Sequence, residues 1–207
     1  MAKSPRTRLD PQARRAQLVE LGLQMLSSRP LDKVAIDDIA AEAGISRGLL
    51  FHYFPTKRDY HIAVAQAAAQ EMLDRTDPPA DLPPAERLRT AVAAFVDHVT
   101  ENRDAYVAFI RGSAGGDPEL IEIYERTRAA FTDRVIGGLG ELGMPLPPPA
   151  RLRAVARGWV ALAEEITVDW LSVADTDLER DEVVSLIDDA LVALVTMALG
   201  AWPFGEH

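Results

Sequence analysis

The spacing of apolar residues constrains the fold most strongly, because they recur every three or four positions between clusters of proline. The prolines cluster at Pro78-Pro79, at Pro83-Pro84 and from Pro145 to Pro149, and the segments between these clusters are rich in Ala, Leu, Arg and Glu. This spacing predicts amphipathic helices, and no segment shows the alternation of apolar and polar residues that is typical of a strand. We therefore predict an all-α fold.

Capping residues and helix breakers predict where the helices begin and end. Asp10 is a suitable N-cap, Pro11 suits the first helical position, and Pro30 ends a helix predicted from Asp10 to Ser28. Further helices are predicted over residues 36–43, 47–54, 57–75, 85–101, 103–111, 118–142, 149–172 and 180–200. In the last two helices the apolar residues cover a broad arc, which predicts burial on two sides.

The composition excludes several classes of protein. The chain has no cysteine, which excludes disulfides, a thiolate nucleophile and metal sites built on thiolates. No apolar run is long enough to span a bilayer, and the basic N-terminus is not followed by an apolar stretch, so we expect a cytoplasmic location. His52, His61 and His98 match no metal-ligand spacing, and we expect neither a metal nor a cofactor.

The sequence offers little support for catalysis. It contains no nucleophile elbow. The carboxylate pairs Glu164-Glu165 and Asp188-Asp189 are interpreted as solvated faces of helices. We therefore expect a protein that is not an enzyme.

The charge is distributed unevenly along the chain. The net charge of −10 argues against binding an anionic polymer. Residues 1–60, however, carry ten basic and seven acidic side chains, a net charge of +3, whereas the remainder carries −13. Such asymmetry indicates that the N-terminal part could bind a polyanion.

The segment from Ile36 to Lys57 predicts a helix-turn-helix, because two short helices are joined by a turn that contains Gly44. The second helix of this motif fits the major groove of DNA. Ser46 and Gly48 at its start would allow close approach, and Arg47 could contact guanine or a phosphate, or lie solvated. Tyr53 and Lys57 could contact phosphates. The basic residues Lys3, Arg6, Arg8, Arg14 and Arg15 form either a solvated tail or a second phosphate-binding segment.

The run DIAAEAGISRGLLFHYFPTKRD, residues 38–59, resembles the DNA-binding domain of TetR-family (tetracycline-repressor-like) transcriptional regulators. The resemblance extends over residues 18–60, and beyond residue 75 only the architecture is similar. It implies that Arg47 and Gly48 face bases, and that Ser46, Phe51, Tyr53, Thr56 and Lys57 contact or flank phosphates.

Three positions depart from the family pattern. Ala35 stands where the family often has a capping Ser or Thr, at an expected cost of about 1 kcal/mol. Phe51 stands where Tyr is common, and Asp37 stands where a basic or neutral residue often faces DNA. We interpret Asp37 as a negative charge that is favourable at the N-terminus of a helix.

The resemblance implies two domains, a helix-turn-helix domain over residues 1–56 and a helical effector-binding and dimerisation domain over residues 57–207. We expect a homodimer through the last two helices, residues 149–172 and 180–200. Apolar and amphipathic residues on different helices are candidates for a ligand pocket, although each could equally belong to a filled core: Phe95, Val99, Tyr106, Phe109, Ile110, Trp159 and Trp170. Their acidic neighbours Glu164, Glu165 and Asp169 would suit a cationic ligand.

Together these features predict a regulator, by resemblance a repressor, which a small-molecule effector releases from a pseudo-palindromic operator. The alternative is a helical small-molecule-binding protein or enzyme that retains a vestigial DNA-binding domain. Salt-sensitive and sequence-selective binding to duplex DNA would distinguish the two.

Overall fold

The computed structural model describes residues 10–26, 33–114, 116–173 and 177–200, with the backbone alone for residues 111–114. Within these ranges the chain forms α-helices and no strands, which confirms the all-α prediction. The helices are α1 (Pro11–Leu26), α2 (Ile36–Glu42), α3 (Arg47–Tyr53), α4 (Lys57–Arg75), α5 (Pro84–Glu101), α6 (Arg103–Ala114), α7 (Pro118–Glu141), α8 (Pro149–Ser172) and α9 (Arg180–Ala198). None of the helices in the described ranges combines the length and hydropathy that a membrane span requires.

The chain divides into two compact units between Ala68 and Ala69. The first contains α1, α2, α3 and most of α4, and the second contains the end of α4 and α5 to α9. The domain boundary predicted at residue 56 lies earlier, at the start of α4. That prediction concerns the functional division of the chain, which the packing alone does not define.

The core of the first unit depends on a close approach of α1 and α4. Tyr60 is fully buried, and its hydroxyl donates a hydrogen bond of 2.9 Å to the carbonyl oxygen of Leu18. A Cβ atom at Gly22 would lie 2.5 Å from the Tyr60 hydroxyl and 2.6 Å from Cγ2 of Val64. Only glycine fits at this position, because both contacts are shorter than van der Waals distance.

The predicted helix boundaries agree with the structure to within a few residues. The helix predicted over residues 103–111 is three residues longer, and the one predicted over 47–54 ends at Tyr53. Phe54 adopts an extended conformation, φ −133° and ψ 98°, because it precedes Pro55. Ser28 and Pro30, the predicted end of the first helix, lie outside the described residues.

The second unit is a helical bundle with one continuous apolar core. The core brings together buried residues of α4, α5, α6, α7, α8 and α9, among them Val96, Ala156, Val183 and Ile187. The indole Nε1 of Trp159 donates a 2.7 Å hydrogen bond to the carbonyl oxygen of Ile187, so that α8 and α9 are joined by a buried polar contact as well as by packing. Buried polar groups of this kind require a partner, and the helix backbone provides it here.

Candidate nucleic-acid interface and cavity

The turn between α2 and α3 has the backbone conformation that a helix-turn-helix requires. Gly44 follows α2 with φ +64°, in the left-handed region that glycine adopts without strain. Ser46 then caps α3, as predicted, by accepting a 3.2 Å hydrogen bond at Oγ from the amide of Leu49. Ala35 provides no side-chain cap for α2, which confirms the absence noted in the sequence.

Helix α3 has one buried and one exposed face. Leu50 is fully buried, and Phe54 just after the helix is buried as well. The exposed side carries Arg47, Gly48, Leu49 and His52, with Phe51 and Tyr53 half-buried at its edges. The residues predicted to face DNA therefore lie on the side of α3 that the protein leaves accessible.

Arg47, the first residue of α3, forms an ion pair with Asp37 of α2. Its Nη1 lies 3.1 Å from Oδ2 and 3.3 Å from Oδ1 of Asp37, and the two side chains are 62% and 67% exposed. The guanidinium also lies 5.5 Å from the centroid of the Phe51 ring. Exposed pairs generally contribute less than about 1 kcal/mol to stability, so this pair adds little to the free energy of unfolding while it restrains the position of the Arg47 side chain.

Thr56 and Asp59 form a reciprocal cap at the start of α4. The Thr56 hydroxyl accepts a 3.0 Å hydrogen bond from the amide of Asp59, and Oδ2 of Asp59 accepts one of 2.9 Å from the amide of Thr56. Thr56 is the N-cap, as predicted, and Lys57 is exposed at the first position of the helix. The cap fixes the first turn of α4, and at the end of α3 Tyr53 stacks edge-on against His52 at 5.4 Å.

The basic N-terminal segment is described only from residue 10. Lys3, Arg6 and Arg8 lie outside the described residues. Arg15 places its guanidinium 4.9 Å from the centroid of the Phe54 ring, and Arg14 donates a hydrogen bond to Gln17. These two arginines thus make local contacts on α1 and at the end of α3.

A large cavity lies among the helices of the second unit. Its volume is about 830 Å³, within the range of small-molecule sites, and α5, α7, α8 and α9 contribute most of its lining. The lining is largely apolar and includes the aromatic residues Phe95, Phe131 and Trp159. The size and composition of the cavity suit a ligand with an extended apolar part.

Comparison with known proteins identifies the family through both parts of the chain. Residues 18–60 match the family described as "Bacterial regulatory proteins, tetR family", and residues 84–194 match "Tetracyclin repressor-like, C-terminal domain". The chain belongs to the TetR family. It is therefore a DNA-binding transcriptional regulator, as the sequence predicted.

Three relatives illustrate the extent of the similarity. A TetR-family regulator from Streptomyces coelicolor, known from a crystal structure, is 30% identical; the match covers 94% of this chain and 92% of that one, with a TM-score of 0.75. The transcriptional activator FasR of Mycolicibacterium smegmatis is 26% identical over 180 residues, 86% of this chain and 80% of FasR. The transcriptional regulator LuxR of Vibrio harveyi is 42% identical over 59 residues, 28% of this chain and 29% of LuxR.

Of the seven residues predicted to line a pocket in this TetR-family protein, two line the cavity and five lie elsewhere. Phe95 and Trp159 line the cavity. Val99 and Tyr106 are buried in the core, and the half-buried Phe109 packs edge-on against Tyr124 at 6.2 Å. Ile110 and Trp170 are partly buried against the core, and Trp170 donates a 2.9 Å hydrogen bond to the carbonyl oxygen of Leu178.

Glu164, one of the acids suggested for a cationic ligand, is neutralised by its own neighbours. Its carboxylate accepts hydrogen bonds from the hydroxyls of Tyr106 and Tyr124, at 3.2 and 3.1 Å, and lies 3.2 Å from Nε of Arg128. Burial raises the pKa of Glu164, whereas Arg128 and the two hydroxyls act in the opposite direction. Glu165 and Asp169, the other two acids, are exposed on α8, so the interpretation of the pair Glu164-Glu165 as a solvated helix face is wrong for Glu164.

Asp188 of α9 is a charged cavity residue that the sequence interpretation missed. The pair Asp188-Asp189 was interpreted as a solvated helix face, but only Asp189 is exposed. Both residues line the cavity, and Oδ1 of Asp188 is buried with no hydrogen-bond partner among the described residues. The helical spacing of Asp188 could have predicted its partial burial, because it lies four residues after the buried Val184 and three before the buried Leu191.

Proposed function

We propose that α3 of this TetR-family regulator enters the major groove of a pseudo-palindromic operator. The observation that carries the proposal is the exposed face of α3, where Arg47 and Gly48 stand at the first two helical positions behind the Ser46 cap. Arg47 would contact bases. Ser46, Phe51, Tyr53, Thr56 and Lys57 would contact or flank the phosphates on either side.

The surroundings of Gly48 support this assignment. Apart from its chain neighbours and the backbone of its own helix, the nearest described atom to a Cβ there would be Oγ of Ser46, at 4.0 Å. Glycine inside a helix costs about 0.5–1 kcal/mol relative to alanine, and the packing of the protein does not explain it. Close approach of the helix backbone to DNA would explain a glycine at this position.

We place the dimer interface on α8 and α9. TetR-family proteins form dimers, and the outer side of α9 carries Leu186 and Met197, 47% and 43% exposed, with the exposed Ala193 between them. The outer side of α8 carries the small residues Ala154 and Gly158. Apolar residues at this helical spacing form a seam that a second copy would cover. Two α3 helices would then read half-sites about 34–36 Å apart, or a multiple of that distance.

The cavity is the proposed effector site, and its occupation would favour a dimer whose DNA-binding domains are spaced incorrectly for the operator. Because the effector would release the protein from its operator, we propose that the protein represses transcription. We place this activity in the cytoplasm. FasR is named an activator, so the sign needs its own measurement. We expect a reporter gene placed behind the operator to be transcribed less when the protein is present.

The test begins with selection of an operator from random duplexes by the full chain. Arg47→Ala should weaken operator binding by about tenfold to a hundredfold and relax the preference at one or two base positions. Lys57→Ala should weaken binding to all sequences alike. Arg126→Ala, a matched loss of an exposed arginine on α7, should bind as the unmodified protein does.

If Arg47→Ala and Lys57→Ala both bind like the unmodified protein, the proposed DNA surface is wrong. If no duplex is selected and binding does not depend on salt, the alternative of a small-molecule-binding protein with a vestigial DNA-binding domain is favoured.

A further inference from the structure

Asp188 places a carboxylate against the apolar cavity of the second unit. It stands one turn after Val184 on α9, and its Oδ1 is buried with no hydrogen-bond partner among the described residues. A desolvated carboxylate oxygen without a partner is costly, because burial removes the water that would otherwise solvate it. An uncompensated group of this kind inside a cavity indicates a ligand that would compensate it.

Several other charged residues around the cavity already have partners, and Arg89 of α5 donates a 3.5 Å hydrogen bond to Oγ of Ser185. Arg87 forms an ion pair with Glu141. Arg134 donates hydrogen bonds of 3.1 Å to the carbonyl oxygen of Leu73 and to Oγ1 of Thr76. Glu164 is held by Arg128 and two tyrosines. A carboxylate or phosphate ligand would have to break such contacts to reach a cation, whereas a cationic ligand would meet Asp188 directly.

We propose that the cavity binds a monovalent organic cation, a protonated amine or quaternary ammonium group joined to a bulky apolar body, with Asp188 as its counter-ion. The apolar body lies against Phe95 and Trp159, and the positive charge lies at Asp188. The claim deepens the proposed effector role and depends on it only for the effect on DNA.

The aromatic walls suit such a ligand for two reasons. Phe95, Phe131 and Trp159 provide a large apolar surface, and the faces of aromatic rings attract cations. The indole nitrogen of Trp159 is engaged with Ile187, so the wall offers its ring rather than a hydrogen-bond donor.

The affinity of the site for a cation should depend on pH. Burial raises the pKa of Asp188 to about 6, Arg89 of α5 opposes this increase, and Asp189 adds to it. Glu164 of α8 and Arg134 of α7 line the same cavity. A cation binds the ionised carboxylate, so binding should weaken as the pH falls through 6 and should release a proton near that pH.

Tetraphenylphosphonium and tetraphenylborate are a suitable pair of probes, because they have nearly the same shape and opposite charge. We expect titration calorimetry on the full chain at pH 7.5 to show at least about tenfold tighter binding of the phosphonium, equivalent to about 1.4 kcal/mol. At pH 5 the affinity for the phosphonium should fall several-fold and that for the borate should not.

Asp188→Asn keeps the shape of the side chain and removes its charge. It should weaken phosphonium binding about tenfold and leave borate binding unchanged or stronger. Asp169→Asn is the matched control, the same charge change at an exposed residue of α8 outside the cavity lining, and should alter phosphonium binding less than twofold. Circular dichroism confirms that both variants are folded.

Equal or tighter binding of the borate would overturn the proposal, and so would equal losses in the two variants, which would indicate a general effect of the acidic surface. Absence of the pH dependence in the unmodified protein would overturn it without any variant. If the phosphonium binds through Asp188 but leaves operator binding intact, the cation site stands and the effector role fails. If another compound releases DNA and the phosphonium does not bind, the effector role stands and the cation site fails.

Discussion

Arg47 is restrained on two sides by its own protein. Asp37 holds the guanidinium from α2, and the Phe51 ring lies beneath it one turn along α3. A long flexible side chain that is oriented in advance loses less conformational entropy when it contacts a base. Asp37 therefore acts as a positioning residue for the proposed base contact, beyond the favourable helix-terminus charge that the sequence suggested.

This role gives a prediction for Asp37→Asn. The base preference at the position contacted by Arg47 should weaken by up to about tenfold, because Arg47 is no longer held in one orientation. Binding to random duplexes should stay equal or increase, since a negative charge near DNA is removed. Competition binding with operators altered at single positions measures both effects.

Asp38→Asn is the control, a neighbouring exposed acid on α2. In the Arg47→Ala background, Asp37→Asn should have no further effect on base preference, because it acts through Arg47. An unchanged preference in the single variant, or an effect that persists without Arg47, contradicts the role.

Two glycines in the first unit should respond in opposite ways to substitution by alanine. Gly22→Ala should destabilise the protein by about 1–3 kcal/mol, because Tyr60 and Val64 leave no space for a methyl group. Gly48→Ala should leave stability equal or higher and weaken operator binding. Urea unfolding and operator titration measure the two properties. A stability loss at Gly48, or none at Gly22, would show that these positions have been misassigned.

At the scale of the element, α9 has two apolar sides with different roles. Val183, Ile187 and Leu191 are buried in the core, whereas an adjacent side of the helix exposes Leu186 and Met197. The sequence predicted burial on two sides for α8 and α9. Within one copy of the chain each of these helices buries one side in the core. The second apolar side would be buried only in the proposed dimer.

Leu186→Glu tests the seam. A carboxylate at the centre of an apolar interface is desolvated without a partner, so the apparent dissociation constant of the dimer should rise at least about tenfold. Light scattering coupled to size-exclusion chromatography measures the mass. Ile121→Glu, at a residue of α7 that is 39% exposed, should leave the dimer intact. A monomeric unmodified protein would contradict the interface from the start.

Most helix boundaries could be predicted because their causes are local. Helix α8 begins at Pro149 and ends at Ser172, as predicted, since the prolines before it and the apolar spacing within it are visible in the sequence. The Asp37–Arg47 pair could not be predicted, because its residues are ten positions apart and meet only through the geometry of the turn. The burial of Asp188 likewise depends on the helices packed around α9.

At the scale of the whole molecule, a positively charged N-terminal segment is joined to an acidic remainder. The values of +3 over residues 1–60 and −13 over the rest mean that the larger part of the chain carries a net charge that repels DNA. Association should therefore depend on the few phosphate contacts made by the proposed DNA surface. A protein of this charge should bind random DNA weakly at physiological salt.

The salt dependence of operator binding measures those contacts. Each phosphate contact contributes a slope of about −0.9 to the logarithm of affinity against the logarithm of salt concentration. Lys57→Ala should make the slope of the dimer shallower by about 2, one contact per subunit, and Arg126→Ala should leave it unchanged. An unaltered slope in Lys57→Ala would remove this lysine from the phosphate contacts.

The buried ring of Tyr60 has a practical consequence for anyone who wishes to isolate the DNA-binding part. A fragment cut at residue 56 lacks that ring, removes the hydroxyl that donates to the Leu18 carbonyl and opens the narrow space beside Gly22 to water. Such a peptide should be prone to proteolysis and aggregation. A fragment that extends to Ala68, where the first compact unit ends, retains the ring. It is therefore a better choice for expression than the fragment cut at residue 56.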